Sequence, residues 1–129
     1  MKKKIRNILI LTVLSLLFIF FITKKTYEYR LEKEFYSYSI KKEIPKNKIR
    51  KTELIYFSKG NRYEYNVYLK NTNDDSYVVF SYVLPNFPIK SYVTQKIYPN
   101  DFLSSAYIEG AVVDLDSTSA RPLIEAINK

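Results

Sequence analysis

Carboxylates in the last third of the chain are the side chains whose spacing comes nearest to a chemical site. Asp114 and Asp116 flank Leu115, and Asp101 and Glu109 precede them. Paired carboxylates can bind a hard cation such as calcium, or act as the acid and base of a hydrolase. The rest of a calcium-binding loop is missing around them, and a solvated acidic turn explains the same residues. We therefore expect no metal site and no other cofactor.

The residues of the other common catalytic sites are missing from the sequence, which contains no histidine and no cysteine. This composition excludes Ser-His-Asp and Cys-His sites within the chain, together with the usual zinc sites. Gly60 and Gly110 lie too far apart to form a phosphate-binding loop. We therefore predict that the chain is not an enzyme and has no small-molecule substrate, with a carboxylate-dependent hydrolase as an alternative.

An apolar run near the start of the printed sequence, Ile8–Ile22, is the strongest structural signal. As a helix it is about 22 Å long, or about 27 Å if it begins at Ile5. That is slightly short of the ~30 Å hydrocarbon core of a bilayer, and flanking lysines can make up the difference by snorkelling. We predict a transmembrane helix. Its proposed lipid-facing residues are Ile8, Leu9, Leu11, Leu14, Leu17, Phe18, Phe20, Phe21 and Ile22.

Basic residues flank this run on both sides, and we expect them to contact lipid head groups. They are Lys2, Lys3, Lys4, Arg6, Lys24 and Lys25. Since the basic residues are more crowded before the run, the N-terminus is expected inside and the following domain outside the cell membrane. A cleaved signal peptide is the alternative. The end of the run and the residues just after it, Phe20-Phe21-Ile22-Thr23-Lys24-Lys25, lack the small residues of a cleavage site. This favours an uncleaved single-pass signal anchor with the lipid bilayer as its partner.

Charge is uneven in the remainder of the chain. Residues 24–70 contain 13 basic and 6 acidic side chains, a net +7, whereas residues 71–129 contain 4 basic and 7 acidic, a net −3. A basic region beside a membrane can bind anionic head groups or an anionic wall polymer, and it can equally serve solubility. The 13 tyrosines and the absence of tryptophan predict a core built largely from tyrosine, isoleucine, valine and phenylalanine.

The segment Lys24–Lys42 is predicted to continue the anchor as an amphipathic helix. Its apolar stripe is formed by Tyr27, Leu31, Phe35 and Tyr38, which recur at helical spacing. No glycine or proline interrupts the segment. We expect this stripe to pack on the sheet that follows.

Strands are predicted at Ile49–Phe57, Arg62–Lys70 and Ser76–Leu84, with a less regular fourth at Ile89–Tyr98. The second alternates cleanly between apolar and polar residues, which is the period of a half-buried strand. We interpret Ser76–Leu84 as the central strand because it is rich in β-branched and aromatic residues.

The last part of the chain has weaker patterns. Pro99–Glu109 is interpreted as a short helix. Ala111–Asp116 is a short apolar segment whose secondary structure the pattern does not determine. A final helix is predicted through Asn128, capped by Thr118 or Ser119.

Together these elements predict an α+β fold. An N-terminal transmembrane helix continues into an amphipathic helix, which packs on a three- or four-stranded antiparallel meander, and a short helix follows. We divide the chain into the basic start and anchor at 1–23, the membrane-proximal helix at 24–43, the β domain at 44–98 and a partly helical extension at 99–129.

Four segments follow the basic start and the apolar anchor: Glu34-Phe35-Tyr36-Ser37-Tyr38, Ile44-Pro45-Lys46-Asn47-Lys48-Ile49, and the tyrosine-rich strands Tyr63–Leu69 and Tyr77–Tyr82. Through these segments, residues 1–98 resemble a family of Gram-positive bacteria known as domain of unknown function 3139. The resemblance implies a small membrane-anchored domain and brings no known activity or catalytic residues.

The functional expectation is a non-enzymatic accessory or binding protein of the bacterial cell envelope, with a membrane or envelope protein as its partner. An immunity or stress-response protein that protects the membrane is the alternative. Aromatic residues alternate with basic ones between Lys41 and Tyr68, a pattern that is also found on surfaces that bind single-stranded nucleic acid. The predicted outward location argues against nucleic-acid binding, so no nucleic acid is expected.

Overall fold

The computed structural model describes residues 2–42, 44–85, 88–94, 96–115 and 118–128. The chain begins with one long helix, α1 (Lys2–Lys41), about 60 Å in length. Since no glycine or proline occurs in this range, the anchor and the amphipathic helix form one uninterrupted element.

The two halves of α1 have different surroundings. Its N-terminal half is exposed, while Tyr27, Leu31, Phe35 and Ser39 of its C-terminal half are buried. Tyr38 is half-buried against the same core. The predicted apolar stripe is therefore confirmed as the side of α1 that faces the domain.

Five strands follow in a simple antiparallel meander, with each strand pairing with its sequence neighbour. They are β1 (Ile49–Phe57), β2 (Arg62–Leu69), β3 (Ser76–Val83), β4 (Leu103–Ile108) and β5 (Ala111–Val113). Two further helices are present, α2 (Pro88–Thr94) and α3 (Arg121–Asn128). Single 3-10 turns occupy Lys46–Lys48, Ser58–Gly60, Pro99–Asp101 and Thr118–Ala120.

All three helices pack on one face of the sheet, so the molecule has two layers. Tyr63, Tyr65, Val67 and Leu69 point from β2 into the layer between helices and sheet, as the alternation in the sequence predicts. Leu123 of α3 is buried in the same core. The α+β fold class and the order of long helix, antiparallel sheet and short terminal helix are confirmed.

Two element predictions were wrong. The described residues of Ile89–Tyr98 do not form the expected fourth strand, and α2 occupies most of that range, with Pro88 in the first helical turn where proline is well tolerated. The helix expected at Pro99–Glu109 is a 3-10 turn followed by β4. In the structure β4 pairs with β3, in the place within the meander where the fourth strand was expected.

Candidate functional site

The N-terminal half of α1 is a long apolar surface. A stretch of it reaches a mean hydropathy of 2.5, with none of that stretch buried in the protein. All of the predicted anchor residues except Phe20 are exposed, from 47% at Ile22 to 67% at Leu11. The helix is therefore long and apolar enough to span a membrane, which is also the character of a signal sequence.

The polar residues of this surface have their hydrogen bonds satisfied within the helix. The hydroxyl of Thr12 donates to the carbonyl of Ile8 at 2.8 Å, and that of Ser15 donates to the carbonyl of Leu11 at 2.9 Å. Because hydrocarbon offers no partner for a polar group, such internal bonds are what a membrane-spanning helix requires.

The predicted head-group residues lie at the two ends of the apolar run. Lys2, Lys3, Lys4 and Arg6 are exposed in the first turns of α1, and Lys24 is half-buried where the helix meets the domain. The ammonium of Lys25 lies 5.7 Å from the ring centre of Phe21, so its side chain reaches back toward the apolar run.

The second candidate surface is the face of the sheet that points away from the helices, which we call the open sheet face. Tyr68, Tyr77 and Tyr107 cross it as a row on β2, β3 and β4, with successive ring centres 4.8 Å apart. At the Tyr68 end of the row, the ammonium of Lys51 lies 4.5 Å from the ring centre of Tyr68, which is a cation–π contact.

A shallow groove runs along the open sheet face. Its exposed apolar residues include Leu103 at 62% and Val112 at 71%, and the Arg62–Glu64 ion pair, with a 3.1 Å contact, lies within it. The lining residues are Phe57, Arg62, Glu64, Tyr77, Val79, Ser81, Val83, Leu103, Ser105, Tyr107 and Val112. Apolar and aromatic side chains around a few charges are typical of a protein-binding surface.

A buried tyrosine cluster lies near the junction of helix and sheet. The rings of Tyr27 and Tyr63 are 6.4 Å apart, and those of Tyr27 and Tyr92 are 5.4 Å apart. Burial raises the pKa of all three phenols above the ordinary value, and the neighbouring Glu28 carboxylate raises that of Tyr63 further. These phenols stay neutral in the folded protein, which suits a structural core.

The carboxylates singled out in the sequence are not brought together as a site. Asp101 lies in a 3-10 turn, and Glu109 lies in the β4–β5 turn with a φ of 47°. Both are exposed, as is Asp114, and Asp116 lies outside the described residues. Among the residues that the structure describes, no group of three histidine, cysteine, aspartate or glutamate side chains is placed to hold a metal ion.

The tyrosine row was missed by sequence reasoning, although one signal for it existed. The alternation in β2 sets Tyr68 opposite to the core residues. Its neighbours Tyr77 and Tyr107 join it only through the register of three strands. Comparisons of the chain with protein-family models, with curated proteins and with solved structures found no match.

Proposed function

We propose that the chain is a non-enzymatic, single-pass membrane-anchored accessory protein of a bacterial cell envelope. The observation that carries this proposal is the continuity of α1, whose exposed apolar half leads directly into the half that forms the core of the domain. Cleavage after the apolar run would remove Phe20, whose ring contacts Tyr92 of the domain, so we infer an uncleaved anchor. The crowding of basic residues before the run supports an inside N-terminus and an outside domain.

The binding role is assigned to the open sheet face, with another membrane or envelope protein as the partner. Exposed Leu103 and Val112 beside a row of tyrosines offer apolar and aromatic area, and aromatic residues are enriched in protein interfaces. From the residue patterns alone we also propose distant membership of the family called domain of unknown function 3139.

Topology is tested by placing one cysteine at Asn73, an exposed turn residue at the end of the sheet far from the apolar run. The native chain has no cysteine to interfere. A membrane-impermeant maleimide should label N73C in intact cells, with the full-length protein in the membrane fraction. Labelling only after lysis would reverse the proposed orientation, and a shortened protein outside the membrane fraction would favour a cleaved signal peptide.

Partner binding is tested in cells with a photo-crosslinking amino acid at Leu103. The matched control carries it at Tyr29, which has a similar exposure of 59% but lies on α1. A discrete protein adduct should form at Leu103, be absent at Tyr29 and weaken when Val112 is changed to aspartate. Equal adducts at both positions would contradict a binding role for the open sheet face.

A further inference from the structure

Helix α2 packs against α1 at the level of the apolar run. The ring of Tyr92 lies edge-on to the ring of Phe20, with centroids 6.0 Å apart. Phe20 belongs to the run Ile8–Ile22 and precedes Lys24 by about one helical turn, or about 6 Å along the helix axis. The ring of Tyr92 also contacts that of Tyr27, with centroids 5.4 Å apart. Helix α2 therefore lies beside the end of the apolar run, at the level of the lysines that follow it.

Helix α2 has an exposed apolar side next to this contact. Ile89 is 62% exposed and Val93 is 67% exposed. With 3.6 residues per turn, these two residues and Tyr92 fall on one continuous side of the helix. Lys90 and Thr94, both exposed, occupy the adjacent polar side. The arrangement is that of an amphipathic helix whose apolar side includes Tyr92, the residue that contacts the anchor at Phe20.

We propose that the apolar side of α2 inserts into the head-group region of the bilayer, with Ile89 and Val93 in contact with lipid. The inference rests on the proposed function, since it requires α1 to be a membrane anchor. Interfacial helices bury their apolar side about 5–10 Å into the boundary between head groups and acyl chains. The contacts of Tyr92 with Phe20 and with Tyr27, on either side of Lys24, place α2 at this boundary.

Lipid is the expected ligand of the apolar side of α2, because this helix packs beside the anchor. Ile89 and Val93 belong to the helix whose Tyr92 contacts Phe20, and the anchor residues Phe21 and Ile22 that follow Phe20 are exposed as well. The hydroxyl of Tyr63 on β2 lies 2.8 Å from that of Tyr92, so α2 is bonded to the sheet as well as packed on the anchor. Insertion of α2 therefore fixes the domain against the membrane surface and limits its rotation about α1.

The experiment uses the full chain in vesicles of phosphatidylglycerol and phosphatidylcholine, with an environment-sensitive fluorophore on single cysteines. The test position is Val93, and Thr94 on the polar side of the same helix is its matched control. Leu14 reports insertion of the anchor, and Asn73 reports the aqueous domain. These four side chains are exposed on the protein, or lie in its exposed apolar run, so labelling does not disturb the core.

Brominated lipids should quench the Val93 probe nearly as strongly as the Leu14 probe, and several-fold more than the Thr94 and Asn73 probes. If Leu14 is quenched while Val93 behaves like Asn73, the inference is wrong and the anchor stands. If Leu14 is not quenched, the anchor itself is wrong. A Val93 probe shielded from aqueous iodide but not quenched by brominated lipid would show a protein covering α2, which also overturns the inference.

Discussion

The hydroxyls of Tyr63 and Tyr92 lie 2.8 Å apart in the protein interior. Tyr63 is fully buried, and Tyr92 is 2% exposed. This single bond joins the second strand of the sheet to α2, the short helix that packs on the apolar part of α1. Because neither hydroxyl can reach water, each depends on the other for its hydrogen bond.

Removing either hydroxyl should therefore destabilise the protein. Tyr63→Phe and Tyr92→Phe each leave a buried hydroxyl without its partner, at an expected cost of about 1–2 kcal/mol in the free energy of unfolding. The double variant removes both hydroxyls and should cost less than the sum of the two by about 1 kcal/mol. Urea unfolding in detergent micelles measures all three values.

The control for this cycle pairs Tyr63→Phe with Tyr107→Phe, which lies on the open sheet face and shares no contact with Tyr63. The effects of this pair should add. Additive effects of Tyr63→Phe and Tyr92→Phe would contradict a mutual hydrogen bond.

Phe35 is one of the α1 rings that pack on the sheet, and its removal should be among the most damaging single changes. It stacks on Tyr65 with centroids 5.3 Å apart and on Phe102 with centroids 4.5 Å apart, and it is fully buried. Phe35→Ala should lower the free energy of unfolding by about 3–5 kcal/mol. Ile40→Ala, on the same helix at a position that is 50% exposed, should change it far less. Equal losses of unfolding free energy in Phe35→Ala and Ile40→Ala would show that Phe35 is not part of the core.

Stability should fall steeply in alkaline solution. Burial raises the pKa of Tyr27, Tyr63, Tyr65, Tyr82 and Tyr92 above that of a free phenol. The unfolded chain loses these protons near pH ~10 while the folded chain keeps them, so unfolding releases protons above that pH. The stabilisation is fully present below pH ~10 and decreases as the pH rises, by up to about 1.4 kcal/mol per pH unit for each tyrosine.

Thermal unfolding across this pH range, followed by circular dichroism, measures the decrease. Tyr65→Phe should make the slope shallower, since one fewer proton is released on unfolding. An unchanged melting temperature well above pH ~10, or tyrosinate absorbance from the whole set of tyrosines before unfolding, would contradict the prediction.

Local patterns in the sequence were sufficient for α1 and for the first three strands. The helical spacing of Tyr27, Leu31 and Phe35 and the period-two alternation of β2 each depend on near neighbours only, and both features were confirmed. Strand β4 was not predictable in this way, because the sequence Leu103–Ile108 is short and mixed in polarity. Its conformation is determined by pairing across the sheet, for example Phe80 with Ser104.

The candidate surfaces also differ in whether local sequence patterns could predict them. The apolar run could be read from consecutive residues, whereas the open sheet face required the strand register that brings Tyr77 beside Tyr107. The exposed side of α2 was hidden because Ile89–Tyr98 fits a strand as well as a helix by pattern alone. Only the contact between Tyr92 and Phe20, distant in sequence, places this segment beside the anchor.

The two glycines should differ sharply in their tolerance of a side chain. Gly110, in the turn between β4 and β5, has a φ of +92°, which an alanine adopts only with strain. Gly110→Ala should therefore destabilise the protein by about 1 kcal/mol or more. At Gly60, a Cβ would meet the flexible tip of Arg62, whose Nη1 lies 3.1 Å away, so Gly60→Ala should cost less because that side chain can move. Urea unfolding of both variants tests the order, and a larger loss for Gly60→Ala would mean that the β4–β5 turn is not held in the left-handed conformation.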